Sequence, residues 1–150
     1  MGAAFFYHLT QAPLVVTLAS LSEKSLAAGW RVEVRGRSEQ MLAVLDTALW
    51  ARDGFLPHGL ANGPHDADQP VLLTLASGTN RASCIMSVGG AEISADEVAR
   101  ADRVCILFDG HDPEAVQQAR VQWKSLTGAG AQAQYWSEES GRWEKKAESA

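Results

Sequence analysis

The sequence predicts an α/β fold, in which a mostly parallel sheet carries helices on both of its faces. Two observations lead to this prediction. Short apolar segments typical of buried strands alternate along the chain with longer segments of helical periodicity, as in successive strand–helix–strand units. The segment 103–109, RVCILFD, is a near-continuous apolar run, which is typical of a central strand covered on both faces.

Six segments have the length and composition of buried strands, and four others show helical periodicity. The predicted strands lie at residues 3–9, 30–35, 71–76, 84–88, 103–109 and 131–136. The predicted helices lie at residues 11–28, 39–50, 95–101 and 113–127. Residues 30–35, WRVEVR, alternate between apolar and polar side chains as strands often do.

Residues with known capping preferences mark the ends of the predicted helices. N-terminal caps are predicted at Thr10, Ser38 and Ser94, whose side-chain oxygens can accept a hydrogen bond from a free backbone N–H. Glycine commonly ends helices, and it is predicted to do so at Gly29 and Gly128.

Two segments fall outside this regular pattern. The segment from Gly54 to Pro70 is rich in turn residues and too long for a plain connection, so we expect it to be functional or mobile. The end of the chain is polar apart from Trp143, and we expect it to fray. The sequence therefore predicts a single α/β domain over residues 1–136 and a polar C-terminal tail over residues 137–150.

Length, charge and cysteine content restrict the cellular compartment and the kinds of partner that we expect for the protein. The 150 residues suit one domain with a single sizeable core. The net charge is −5, so strong direct binding to DNA is not expected, and contact with nucleic acid should be indirect. Cys84 and Cys105 lie in apolar runs and predict buried, reduced thiols. No secretory signal or membrane-length apolar run is seen, so we expect a cytoplasmic protein.

Motifs for catalysis and cofactor binding are absent from the sequence. There is no Walker loop, no GxGxxG, no GxSxG and no HExxH, and the four histidines have no metal-type spacing. The sequence therefore predicts no metal, no cofactor and no catalytic activity. An alternative is a small nucleotide- or ligand-binding enzyme or regulator that uses the turn Asp109–Asp112 at the end of a strand. The simpler interpretation of this turn is a polar connection in which Asp112 caps the helix beginning at Pro113.

The last predicted helix carries two cations beside an indole. At 100° per residue, Arg120 and Lys124 lie on one side with Val116, and Trp123 falls between that side and the sheet. Such a surface suits an acidic peptide that ends in an aromatic residue. It equally suits a solvated basic face with an interior tryptophan. The side expected to face the sheet carries Ala115, Ala119 and Leu126.

Bulky apolar residues crowd the segment 45–61, LDTALWARDGFLPHGLA, where a loop would normally be polar. Such residues are typical of the centre of a protein–protein interface. They can also close the local core, and a histidine can lock such a loop by hydrogen bonding. The candidate residues are Trp50, Phe55, Leu56, Pro57, His58 and Leu60.

These features together resemble the chi subunit of bacterial DNA polymerase III holoenzyme. Members of that family carry a helix ending in Leu-Trp followed by Phe-x-Pro-His-x-Leu, as residues 49–60 do here. The aromatic strand AAFFYHL, the late helix with its cations and the strand ending in Tyr135-Trp136 also agree, whereas residues 62–100 match poorly. The resemblance implies a Rossmann-like three-layer sandwich and a non-catalytic accessory subunit of the replicase.

The resemblance also implies two partners. In the family, the late helix binds the acidic C-terminal tail of single-stranded-DNA-binding protein, which ends in Pro and Phe, and here that points to Arg120, Trp123 and Lys124. Trp123 stands where better-known members have Tyr, and Val116 stands where they have a further basic residue. The segment around Trp50 and His58 corresponds to the contact with the psi subunit, so psi or another clamp-loader component is the second expected partner.

Overall fold

The computed structural model of the protein describes residues 2–52, 54 and 56–149. Within them, the six predicted strands and four predicted helices are present in the predicted order, together with two unpredicted strands at Gly59–Leu60 and Glu144–Ser149 and a 3-10 turn at Asp66–Asp68. The elements are β1 (Ala3–Leu9), α1 (Leu14–Ala27), β2 (Val32–Arg35), α2 (Glu39–Ala51), β3 (Gly59–Leu60), β4 (Val71–Thr74), β5 (Cys84–Ser87), α3 (Ala95–Arg100), β6 (Arg103–Asp109), α4 (Pro113–Gly128), β7 (Gln132–Ser137) and β8 (Glu144–Ser149).

The strands form one sheet in the order β3-β4-β2-β5-β6-β1-β7-β8. Every neighbouring pair is parallel except β7 and β8, which are antiparallel. Helices α1 and α2 pack on one face, and α3 and α4 pack on the other. The prediction of a Rossmann-like three-layer sandwich is therefore confirmed.

Two hydrophobic cores lie on the two faces of the sheet, and β6 contributes to both. Cys105 and Leu107 point into the core beneath α1 and α2, whereas Val104, Ile106 and Phe108 point into the core beneath α3 and α4. This alternation between two buried faces explains the near-continuous apolar run of the central strand. Both cysteines are free and buried, as predicted.

Strand β2 differs from expectation, since its apolar and polar residues are all buried. Helices cover both faces of the sheet, so the polar positions of this strand are as enclosed as the apolar ones. The burial is tolerated because the Arg35 guanidinium lies 2.7 Å from a carboxylate oxygen of Glu33 and 2.6 Å from one of Glu97. The other carboxylate oxygen of Glu33 accepts a hydrogen bond from the backbone N–H of Gly78.

Two of the three predicted N-terminal caps are confirmed. The Ser38 side chain accepts a hydrogen bond from the N–H of Met41, and Ser94 forms a capping box with Glu97. The prediction for Thr10 is wrong, because the first helix begins only after Pro13 and has no side-chain cap.

The last residues are ordered where fraying was expected. Residues 144–149 form β8, which pairs with β7 along the edge of the sheet. Trp143 precedes this strand and packs edge-to-face on Tyr7, with ring centroids 5.4 Å apart. The expectation of fraying is therefore wrong for these residues, since hydrogen bonding to the edge strand and one aromatic contact hold a polar segment in place.

The long central segment is also partly ordered. It contains β3, which pairs with β4, and the Asp66 carboxylate accepts hydrogen bonds from the N–H groups of Asn62 and Gly63. None of the helices in the described part of the chain is long and apolar enough to cross a membrane.

Replacing Glu97 by glutamine should lower the free energy of unfolding at neutral pH by about 2 kcal/mol, because the buried Arg35 loses a carboxylate partner. The hydrogen bond from Arg35 holds the pKa of Glu97 at about 2, below its ordinary value of 4.5. This stabilisation is complete above pH 4.5 and is lost as the pH falls through about 2. Urea unfolding across this range should show the difference between variant and wild type shrinking.

The matched control is Asp96→Asn on the same helix. Asp96 forms an ion pair with Arg100 in which both side chains are exposed, so this variant should change stability by no more than about 0.5 kcal/mol. Two results would contradict the assignment. One is a loss of stability in Asp96→Asn as large as that in Glu97→Gln, and the other is wild-type stability of Glu97→Gln at neutral pH.

Candidate functional site

Helix α4 has the local chemistry of a stable surface helix. The Asp112 side chain caps it by accepting a hydrogen bond from the N–H of Glu114 at 3.0 Å, and Pro113 occupies its first turn. The sheet-facing side is as predicted, with Ala119 and Leu126 buried in the second core. Gln122 is buried as well, and its amide bonds to the backbone of the segment before α3.

The outer side of α4 forms one wall of a pocket of about 380 Å³. Arg120 and Lys124 lie exposed at this pocket, and neither forms an ion pair with any residue that the structure describes. Two neighbouring unpaired cations attract carboxylates. The pocket is lined by Gln117, Arg120, Val121, Trp123, Lys124, Tyr135 and Ala147.

Trp123 forms the apolar part of the pocket. It is half-buried, and its ring meets Phe6 edge-to-face at 5.3 Å and Tyr135 at 6.1 Å between centroids. The Tyr135 hydroxyl lies 2.9 Å from Nδ1 of His8. Burial raises the pKa of Tyr135, and the Arg120 guanidinium acts in the opposite direction. Two tightly packed rings therefore stand beside two free cations.

The structure separates Val116 from the other residues predicted on this helix. Val116 is half-buried against the second core and does not line the pocket. Tyr135 and Ala147 line it instead, although they lie on β7 and β8. No local signal in the sequence points to Ala147, because its position depends on the pairing of the two strands, in which it lies opposite Tyr135.

The segment after α2 is locked by His58. Its side chain is fully buried, with Nδ1 lying 2.7 Å from the carbonyl of Leu56 and Nε2 lying 3.2 Å from a carboxylate oxygen of Asp46. The Trp50 ring stacks on the imidazole at 4.1 Å. The histidine is therefore a fixing point for the loop and lies out of reach of a partner.

The remaining residues predicted in this segment differ in exposure. Leu56 is buried in the first core and Pro57 is half-buried, whereas Trp50 is 52% and Leu60 is 41% exposed. Phe55 lies outside the described residues. Leu60 borders a cleft of about 480 Å³ between α2 and the β3–β4 edge, and Leu75 at the same cleft is also exposed. Exposed apolar side chains beside a cleft form a candidate interface.

The loop between β1 and α1 occupies the position at which dinucleotide-binding folds hold phosphate. Here a carboxylate from the far end of the chain fills it. Oε1 of Glu138 accepts hydrogen bonds from the N–H groups of Thr10, Gln11 and Ala12 at 2.8–3.0 Å. Burial alone would raise the pKa of Glu138, but these three backbone bonds outweigh it and lower that pKa.

The Asp109–Asp112 turn lies at the same end of the sheet, and its polar atoms bond locally. Asp109 accepts a hydrogen bond from the N–H of His111, and Nε2 of His111 lies 2.9 Å from the carbonyl of Thr10. Among the described residues, no group of three His, Cys, Asp or Glu side chains is placed to hold a metal ion.

Comparison with protein-family models identifies a family. The family model described as DNA polymerase III chi subunit, HolC, matches residues 1–134, which is most of the chain and includes both candidate surfaces apart from Tyr135 and Ala147. No curated protein matches the chain.

Replacing Glu138 by glutamine should lower the free energy of unfolding by about 1–3 kcal/mol, because three backbone N–H groups lose a charged acceptor. Since the pKa of Glu138 is lowered in the fold, its contribution should be present above the ordinary carboxyl range and decline in acid. Thermal and urea unfolding measure the change. Glu139→Gln is the matched control, as that side chain is 59% exposed; equal effects of the two variants would contradict the prediction.

Proposed function

The chain belongs to the DNA polymerase III chi subunit family and is an accessory subunit of that polymerase, and we propose that it links the clamp loader to single-stranded-DNA-binding protein. It does so by capturing the acidic C-terminal tail of the binding protein. The observation that carries the proposal is the pocket beside α4, where the unpaired cations Arg120 and Lys124 flank an aromatic wall.

Each part of the pocket meets a different part of the tail. The guanidinium of Arg120 and the ammonium of Lys124 pair with tail carboxylates. The terminal Phe ring seats against Trp123 and Tyr135, where edge-to-face contacts between aromatic rings are favourable. Val116 adds no charge to this surface, so the salt-sensitive part of binding rests on two cations. A contact this small is weak, and many tails on coated DNA raise its effective affinity.

The clamp-loader contact uses the other end of the sheet. Trp50 and Leu60 expose apolar surface beside the β3 edge, where they meet the psi subunit or another clamp-loader component. His58 and Leu56 hold the segment in position from inside, and Pro57 restricts its backbone. Because the α4 pocket lies on the opposite face and next to the β8 edge, both partners can bind at once. That separation is what a linking subunit requires.

The protein performs this role without catalysis. The Asp109–Asp112 turn uses its polar atoms in local hydrogen bonds, and the amide groups of the β1–α1 loop hold Glu138. No observation within the described residues favours the alternative of a nucleotide-binding enzyme or regulator.

Replacing Arg120 by alanine should weaken binding of a tail peptide at least about tenfold, because a charge-assisted hydrogen bond contributes about 1.5–3 kcal/mol. Removing the final Phe from the peptide should have a similar effect through loss of ring packing. Isothermal titration at low salt measures both, and rising salt should weaken the wild-type interaction.

Arg100→Ala is the control for charge, since Arg100 is an exposed cation on α3 and does not line the pocket. It should leave peptide affinity unchanged. Absence of saturable binding by the wild-type protein at low salt would overturn tail capture. Equal loss in the Arg100 and Arg120 variants would move the site away from α4.

Replacing Leu60 by glutamate should abolish co-purification with psi or the clamp-loader complex, because it places a charge in the apolar contact. Tail-peptide affinity should remain at the wild-type level, since the two surfaces lie at opposite edges of the sheet. Val16→Glu on α1 is the control, as Val16 is also exposed but lies on a different surface. Retention of the complex by the Leu60 variant would rule out this contact.

A further inference from the structure

A second aromatic pocket lies on the opposite face of the sheet from the pocket beside α4, which we call the tail pocket. We call it the aromatic groove, and its volume is about 400 Å³. Helix α1 packs mainly over β2 and β6, so the strip formed by β1, β7 and β8 beside it is left open on this face. The rings that line the groove belong to Phe5, Tyr7, Trp136 and Trp143.

The rings are held in position by contacts within the protein. Tyr7 and Trp136 are register partners on adjacent strands, and Trp143 meets Tyr7 edge-to-face. The Trp136 indole N–H donates to the side-chain oxygen of Gln134 at 3.0 Å, which fixes the ring plane. Phe5, Tyr7 and Trp136 are each half-buried, and Trp143 is 37% exposed. Ordered rings with free surface form a platform on which a further flat ring can stack.

The cations near the groove have no ion-pair partner within the described part of the chain, whereas the carboxylate that lines it is hydrogen-bonded. Lys24 lines it from α1, and the Arg103 guanidinium lies 4.4 Å from the centroid of the Phe5 ring. Neither cation forms an ion pair within the described part of the chain. Glu138 is the carboxylate that lines the groove, and it is engaged because it accepts three backbone hydrogen bonds. Although the protein has a net charge of −5, these two cations allow the groove to attract anions.

We propose that the aromatic groove binds unstacked bases of single-stranded DNA, with Lys24 and Arg103 meeting the adjoining phosphates. Stacking on aromatic rings combined with cations along the backbone is how proteins hold single strands without reading their sequence. A proline-rich peptide would use the rings but would leave both cations unpaired. Membership of a polymerase accessory family places the groove close to replicating DNA.

The groove acts independently of tail capture, because it lies on the α1 face whereas the tail pocket lies on the α4 face. With two cations it contributes few phosphate contacts, so the affinity is weak and depends modestly on salt. The slope of log affinity against log salt should be about −1 to −2. The contact would add to tail binding when both act on the same coated strand.

The test is fluorescence anisotropy of a labelled oligothymidylate of about ten nucleotides at low salt. Trp143→Ala and Lys24→Ala should each weaken binding, the first by about fivefold or more because a stacked base is lost. Trp50→Ala and Lys124→Ala remove the same residue types from other surfaces and should have no effect. The Trp143 and Lys24 variants should still bind the tail peptide, and Arg120→Ala should still bind the oligonucleotide.

Three outcomes would overturn the proposal. One is no saturable oligonucleotide binding by the wild-type protein at low salt. Another is unchanged binding by both the Trp143 and the Lys24 variant; Lys24 is exposed on a helix, so its replacement keeps the test valid if the tryptophan variant misfolds. The third is binding of a peptide rich in proline and aromatic residues in place of the oligonucleotide, removed by Trp143→Ala, which would identify a peptide groove.

Discussion

The attachment of the β7–β8 hairpin to the β1–α1 loop is the constraint on which both aromatic pockets depend. The Glu138 carboxylate accepts hydrogen bonds from three successive backbone N–H groups of that loop, none of which has a partner within regular secondary structure. The same hairpin supplies Tyr135 and Ala147 to the pocket on the α4 face, and Trp136 and Trp143 to the groove on the α1 face. The carboxylate therefore joins the β1–α1 loop to the strand pair that forms a wall of each pocket, in addition to the pairing of β7 with β1.

The Glu138 carboxylate also distinguishes this protein from nucleotide-binding proteins of similar architecture. The amide groups after the first strand of such sheets bind phosphate because they present several N–H donors to one anion. In this chain the side chain of Glu138 accepts hydrogen bonds from three such donors. The sheet architecture is the same, but the loop that binds phosphate in those proteins here binds a side chain of the β7–β8 hairpin.

A second buried network plays the corresponding role at the other half of the sheet. Arg35 joins Glu33 of its own strand to Glu97 of α3, so a charged cluster ties β2 to a helix on the α4 face. At this end, α2 and the segment locked by His58 present Trp50 and Leu60 outward. Two internally anchored ends of one sheet thus carry two separate surfaces.

The sequence by itself determined the layered α/β architecture, the central position of β6 and the caps at Ser38 and Ser94, because hydrophobic periodicity and capping preferences are local properties. It also brought Arg120, Trp123 and Lys124 together, since helical geometry alone places them on neighbouring sides of α4. Only the tertiary structure decided that His58 and Leu56 face inward while Trp50 faces solvent. Only the tertiary structure showed that β8 completes the sheet. This polar strand is held by backbone hydrogen bonds to β7, and its own side chains do not indicate that pairing. The bond between Glu138 and residues 10–12 spans almost the whole chain, and such long-range contacts leave no periodic trace in the sequence.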